Sequence, residues 1–144
     1  MIQVDVASSL RGKPDTALLC RAAVAALRPV AANAQVSILL VGDKRMRTLN
    51  RDSLGHDYTT DVLSFDHGST PEGKLIELVI CPAFAARSAR QRGIAVAQEL
   101  VRYVVHGCLH CAGFDDRTEA QRRTMWKAQE SLVQGLFGRN YQTP

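Results

Sequence analysis

The stretch from Ala95 to Cys111 contains no proline and one glycine. It is apolar around most of a helical circumference, which predicts a helix buried at the centre of the fold. His106 and His110 stand four residues apart on it, about 40° around the axis and one turn along, so both rings can reach one ion. Gly113 can take the left-handed conformation that stops a helix and turns the chain, letting Asp116 approach from the side. Imidazole and carboxylate suit a divalent transition metal, zinc above all. Three protein ligands leave a tetrahedral ion with one position open to water, an arrangement for catalysis rather than for a structural site. The alternative is a hydrogen-bonded histidine pair without a metal.

Other residues of this helix narrow the chemistry. Glu99 shares a stripe with Tyr103, His106, His110 and Gly113, yet it lies about 10 Å along the axis from His106, too far to ligate the same ion. A supporting or helix-N-terminal acid is expected there, not a catalytic base. The zinc-protease helix His-Glu-x-x-His carries its general base directly after the first ligand, and Gly107 fills that position here. Peptide hydrolysis in that manner is disfavoured. Cys108 and Cys111 fall off the ligand stripe and are read as small buried hydrophobes. His56 and His67 could serve in acid–base chemistry but are read as solvated loop histidines, so the general acid and base stay unassigned. Asp115 either orients a ligand or water, or caps the turn.

The run His106-Gly107-Cys108-Leu109-His110-Cys111-Ala112-Gly113-Phe114-Asp115-Asp116 resembles the signature of the YbeY family of bacterial metal-dependent endoribonucleases. Leu49-Asn50 followed by Thr60-Asp61-Val62-Leu63-Ser64-Phe65 is similar to a second block of that family, and the strand pattern near Gly73 to Ile80 also fits. The likeness extends over about residues 35–135. It implies an α+β fold in which a small mixed sheet packs with helices around the metal-bearing one. It also implies one zinc-like ion on His106, His110 and Asp116, and cleavage of single-stranded RNA in rRNA maturation and ribosome quality control. The expected partners are rRNA and the small ribosomal subunit or its proteins. The chain departs from the family at two places. Asp116 stands where most members have histidine, making the third ligand an oxygen, and Leu54 stands where the family has an arginine implicated in RNA handling. The second departure gives weight to another class, a non-catalytic ribosome-assembly or RNA-binding factor with a mainly structural metal. Asp61 and Ser64 of the second block are assigned to architecture.

Length and composition bound these expectations. The chain has 144 residues, 46% of them hydrophobic, which predicts a single domain over residues 1–144 that folds without disulfides. No apolar run reaches the ~18 residues of a membrane span, and no secretion signal opens the chain, so a cytoplasmic location is expected. Four cysteines do not make a secreted disulfide framework. The net charge of +4 leans mildly towards an anionic partner. Lys44, Arg45, Arg47 and Arg51 crowd one predicted helix, Arg87, Arg90 and Arg92 another, and Arg117, Arg122, Arg123 and Lys127 follow the metal motif. Of these, Lys44, Arg45, Arg47, Arg51, Arg122 and Arg123 are the candidate contacts for an RNA backbone. Base stacking is not expected as the main grip, since no aromatic-rich RNA-binding motif occurs.

Pattern and punctuation predict the elements. Strands are expected at Ile2–Val6, Val36–Val41, Val62–Asp66 and Leu75–Cys81. Helices are expected from a cap at Asp15 or Thr16 to about Leu27, from a cap at Asp43 to about Ser53, and from Pro82 to about Arg92. The metal helix Ala95–Cys111 follows, then a last helix from Thr118 to about Phe137. Residues 55–60 and His67–Gly73 read as loops.

Overall fold

The computed structural model describes every residue except Lys13 and Asp57, the latter within the stretch 55–60 expected as a loop. Four strands, β1 (Ile2–Ser8), β2 (Ala34–Leu40), β3 (Val62–Thr70) and β4 (Gly73–Ile80), form one sheet in the order β1-β2-β4-β3. β1 pairs in parallel with β2, and β2 with β4, while β3 runs antiparallel to β4. The described residues also form five α-helices: α1 (Thr16–Leu27), α2 (Asp43–Leu54), α3 (Pro82–Arg92), α4 (Val96–Cys111) and α5 (Glu119–Phe137). The expected α+β fold with a small mixed sheet is the one observed.

Alternation along the strands divides the core. Val36, Ile38 and Leu40 of β2 and Ile76, Leu78 and Ile80 of β4 face α1, α4 and α5. Val79, Cys81 and Leu63 face the other way and close over Met46 of α2. Successive strand side chains point to opposite faces, so two buried faces produce these nearly continuous apolar runs. α4 lies in the larger cluster, with Val101, Val104, Val105 and Cys108 wholly buried. Gly107 is what lets it lie so close to the sheet. A Cβ there would come within 2.7 Å of a Leu78 methyl carbon and 3.4 Å of one on Val62. A glutamate after the first histidine, as in zinc proteases, has no room.

Several boundaries differ from expectation. The largest difference is His67–Thr70, expected as loop, which continues β3. It pairs through Ser69↔Lys74 and Thr70↔Gly73 after an irregularity beyond Asp66. Its side chains are exposed on an edge strand, so no buried face imposes the apolar alternation by which a strand is recognised. Asp43 is not the N-cap of α2. Gly42 takes that place, and the Asp43 carboxylate turns to α3, accepting from both terminal nitrogens of Arg87 at 2.9 and 2.7 Å. That guanidinium holds the carboxyl well below its ordinary range, at about 2. β1 runs on to Ser8, β2 spans Ala34–Leu40, and α2 continues to Leu54 before Gly55 ends it at φ 75°. Asp15 does cap α1, accepting from the Leu18 amide at 3.1 Å. Thr118 opens α5 in a reciprocal cap with Gln121, whose amide oxygen accepts the Thr118 N–H at 3.0 Å.

Candidate metal centre

The end of α4 brings the three expected ligands together. Nε2 of His110 lies 3.1 Å from Nε2 of His106 and 3.3 Å from Oδ2 of Asp116, and one donor atom from each residue falls within 4.8 Å of the others. Donors about 2.05 Å from a tetrahedral zinc ion lie about 3.3 Å from one another, so the trio has the spacing and chemistry to hold such an ion. The turn that returns Asp116 is built as the glycine suggests. Gly113 adopts φ 102°, and the Phe114 amide closes back onto the Leu109 carbonyl at 3.0 Å. Asp115 ties the turn, accepting from the Asp116 amide at 2.8 Å and pairing with Arg117 at 3.3 Å.

The state of the histidines follows from their surroundings. Burial pushes the His106 pKa down, against a hydrogen bond to Gln129, and the neighbouring His110 adds to the lowering. His106 is therefore neutral at pH 7, as a metal ligand must be. Nδ1 of His106 stands 2.8 Å from the amide oxygen of Gln129. The amide nitrogen of Gln129 donates to the Glu130 carboxylate at 2.9 Å. A carboxylate accepts only, so Gln129 must turn its NH2 to Glu130 and its oxygen to His106. The proton of His106 then sits on Nδ1, leaving Nε2 with its lone pair facing the trio.

Behind Gln129 lies a buried ionic network that sequence reasoning did not assemble. Arg102, 3% exposed, donates to Glu130 through Nε at 2.8 Å and Nη2 at 2.7 Å, and through Nη1 to Glu99. Glu99 also accepts from Ser88 Oγ, and Glu130 from the Tyr141 hydroxyl at 2.7 Å. Burial raises the Glu130 pKa, but bonds from Arg102, Gln129 and Tyr141 together hold it below its ordinary value. Glu99 is thus linked to His106 by hydrogen bonds through Arg102, Glu130 and Gln129. The signal available in the sequence was an acid and an arginine three apart on an otherwise apolar helix.

Three hollows share His106. One, of about 360 Å³, runs along β3 past Leu54, Asp61, Ser64, Phe65 and His110. Another, of about 190 Å³, lies between Asp116, Arg122, Trp126 and Gln129. The third, of about 180 Å³, is set between α3, α4 and α5. Of the six candidate RNA contacts, Arg122 borders one of these hollows, its guanidinium donating to the Asp116 carbonyl at 3.2 Å. Lys44, Arg45, Arg47 and Arg51 lie exposed on α2 and line none of the three, and Arg123 pairs with Glu119 at 3.1 Å. The end of α2 contributes Leu54 instead, 56% exposed.

The remaining candidates lie outside the trio. His56 stacks on Tyr58 with ring centroids 5.3 Å apart, and His67 lies 3.8 Å from Glu77 on β4. Asp61 accepts from the Val62 amide at 2.7 Å and the Thr60 hydroxyl at 3.2 Å, while bordering two of the hollows. Asn50, 1% exposed, donates to the Tyr58 carbonyl at 2.9 Å and so holds the segment after α2 against the helix. All four cysteines are unpaired thiols. Burial raises the pKa of Cys108, and that of Cys111 to about 11, which keeps both protonated.

Known proteins are similar to this chain in fold and sequence. The solution structure of TM1509 from Thermotoga maritima superimposes with a TM-score of 0.66 at 25% identity, covering 96% of this chain and 91% of that one. An endoribonuclease YbeY from Chlorobium luteolum is 34% identical over 94% of this chain and 99% of its own length. Another, from Anaeromyxobacter sp. strain Fw109-5, is 47% identical over 74% of this chain, and the match spans 58% of that relative's length. A third, from Chromobacterium violaceum, is 35% identical over 94% of this chain. The family model described as endoribonuclease YbeY matches residues 14–136. With the trio at the end of α4 and a match across nearly all of the sheet and helices, the chain belongs to the YbeY endoribonuclease family.

Proposed function

We propose that this chain is a metal-dependent endoribonuclease that hydrolyses single-stranded RNA. The observation that carries this is the convergence of His106, His110 and Asp116 where three hollows meet at the surface. We further propose that zinc is the ion, that rRNA is the substrate in maturation and ribosome quality control, and that the chain works in the cytoplasm beside the small ribosomal subunit.

A divalent ion held by this donor set supplies a concentrated positive charge that activates water or the scissile phosphate and offsets charge in the transition state. The chain's own groups prepare the place. Burial keeps His106 neutral, and the Gln129 oxygen holds its proton on Nδ1 so that Nε2 is free of one. Asp116 adds the anionic donor. Arg122, fixed to the Asp116 carbonyl, offers a guanidinium to a backbone phosphate one step from the scissile bond.

The test pairs metal analysis of purified protein with cleavage assays on single-stranded and structured RNA. Single-stranded RNA is expected to be cut, chelation to stop the cutting, and zinc to restore it. His110→Ala should lose both the ion and the activity; undiminished cleavage by the pure variant rejects the proposal. A second function, an RNA-binding assembly factor with a structural metal, is favoured by one observation, Leu54 on the hollow beside His106 and His110. It predicts RNA binding and a bound metal without cleavage.

A further inference from the structure

Trp126 is the chain's single tryptophan, and it is 46% exposed on α5. It forms a wall between two of the hollows that meet at His106. The one set between α3, α4 and α5, about 180 Å³ in volume, has three rings in its lining, Trp126, Phe84 and Tyr103. Phe84 and Tyr103 meet edge to face with centroids 6.5 Å apart, and the Arg102 guanidinium lies 5.9 Å from the Trp126 centroid. The lining of the hollow therefore combines aromatic rings with hydrogen-bonding side chains such as Ser88 and Gln129.

Charge decides what can enter. Two cations, Arg92 and Arg102, border the hollow, and so do two carboxylates, Asp61 and Glu99. Arg102 is already spanned by Glu99 and Glu130, and Arg92 lies 4.0 Å from Glu99. No excess positive charge is left for a phosphate, which would also be driven towards the buried Glu99 carboxylate. A flat uncharged heterocycle would meet both aromatic rings and hydrogen-bonding groups in this lining.

With RNA as the substrate proposed above, we infer that this hollow binds one unstacked nucleobase of the strand, next to the phosphate at the metal centre, with Trp126 as its stacking platform. Bases splayed from single strands are held by aromatic side chains in this way, independently of a recognisable RNA-binding motif. The hollow opens on His106 itself, so a base seated there fixes which phosphodiester faces the trio. Single-strand preference follows from the same fit, because a paired and stacked base cannot enter.

Because Trp126 is the chain's one tryptophan, its emission reports on the hollow directly. Short single-stranded oligoribonucleotides with hydrolysis-resistant phosphorothioate linkages, each with one abasic residue at a successive position, are titrated into the metal-loaded protein. Binding is read from tryptophan emission and from anisotropy of a labelled strand. One position is expected at which removing the base abolishes the emission change and weakens binding about five- to 150-fold, with its neighbours little affected. Trp126→Ala, followed by anisotropy alone, should flatten that profile while Trp126→Phe keeps part of it; circular dichroism checks that both are folded. A flat abasic profile in the wild-type protein, or an unchanged profile in Trp126→Ala, overturns the base site and leaves the nuclease untouched. Failure of every strand to bind overturns RNA as the substrate as well.

Discussion

Gln129 and His106 are joined at 2.8 Å across the α4–α5 interface, and the glutamine can meet the ring only through its oxygen because Glu130 takes its NH2. Partners of this kind orient a ligating imidazole and set its tautomer, and losing one costs about 10–100-fold in metal affinity. Gln129→Leu should weaken zinc binding by that factor while leaving the fold intact. Competition with a chromophoric chelator measures it. An unchanged affinity would mean that packing alone sets the ring.

The Arg102 guanidinium bridges two buried carboxylates, Glu99 and Glu130. Arg102→Met leaves Glu99 and Glu130 without it, and a broken buried pair costs about 3–5 kcal/mol at pH 7. The pH dependence carries the sign. The Glu130 carboxyl is held below its ordinary 4.5 in the folded protein, so its contribution is complete above that value and is lost as pH falls through the lower folded pKa. In the variant, burial raises the same carboxyl and protonation relieves it. The deficit measured by urea unfolding should therefore shrink between pH 7 and pH 4, and an equal deficit at both would contradict this account.

Gly107→Ala sets two effects against each other. Helix propensity favours alanine by about 1 kcal/mol, while overpacking against Leu78 costs about 1–3 kcal/mol. The added Cβ would sit 2.7 Å from a Leu78 methyl carbon, so a net loss of up to ~2 kcal/mol is expected. In a Leu78→Ala background the clash is gone, and the same change should become stabilising by about 1 kcal/mol. Chemical denaturation of the four proteins of the cycle tests the reversal of sign.

Leu54 decides between the two proposed functions. It is exposed and borders the hollow shared by His106 and His110, so Leu54→Arg adds a cation there without disturbing the core. Cleavage of single-stranded RNA should rise at least about tenfold, given what one well-placed charge contributes to a transition state. A bound metal with no cleavage in either protein would favour the assembly-factor function.

The convergence of His106, His110 and Asp116 and the order of elements were legible because each rests on a local rule: two histidines on one helical face, a glycine at the turn, apolar alternation in β2 and β4. His67–Thr70 was not, since an exposed edge strand has no buried face to write a pattern. Asp43 looked like a helix cap because the competing Arg87 lies on α3, far along the chain. Gln129 and Glu130 gave no local sign of their part in the site. Their role depends on the packing of α5 across α4, which spacing along one helix does not reveal. Trp126 escaped notice for the same reason, standing alone in sequence but among Phe84 and Tyr103 in space.

The turn after Gly113 has a consequence for how the molecule comes apart. Two donors sit on the most deeply buried helix, and the third lies in a surface link that Arg122 ties to the start of α5. A bound cation staples that link to the interior, so chelation should loosen residues 112–118 first and speed their amide exchange well before the sheet responds. Occupancy by metal and order in that corner would rise and fall together.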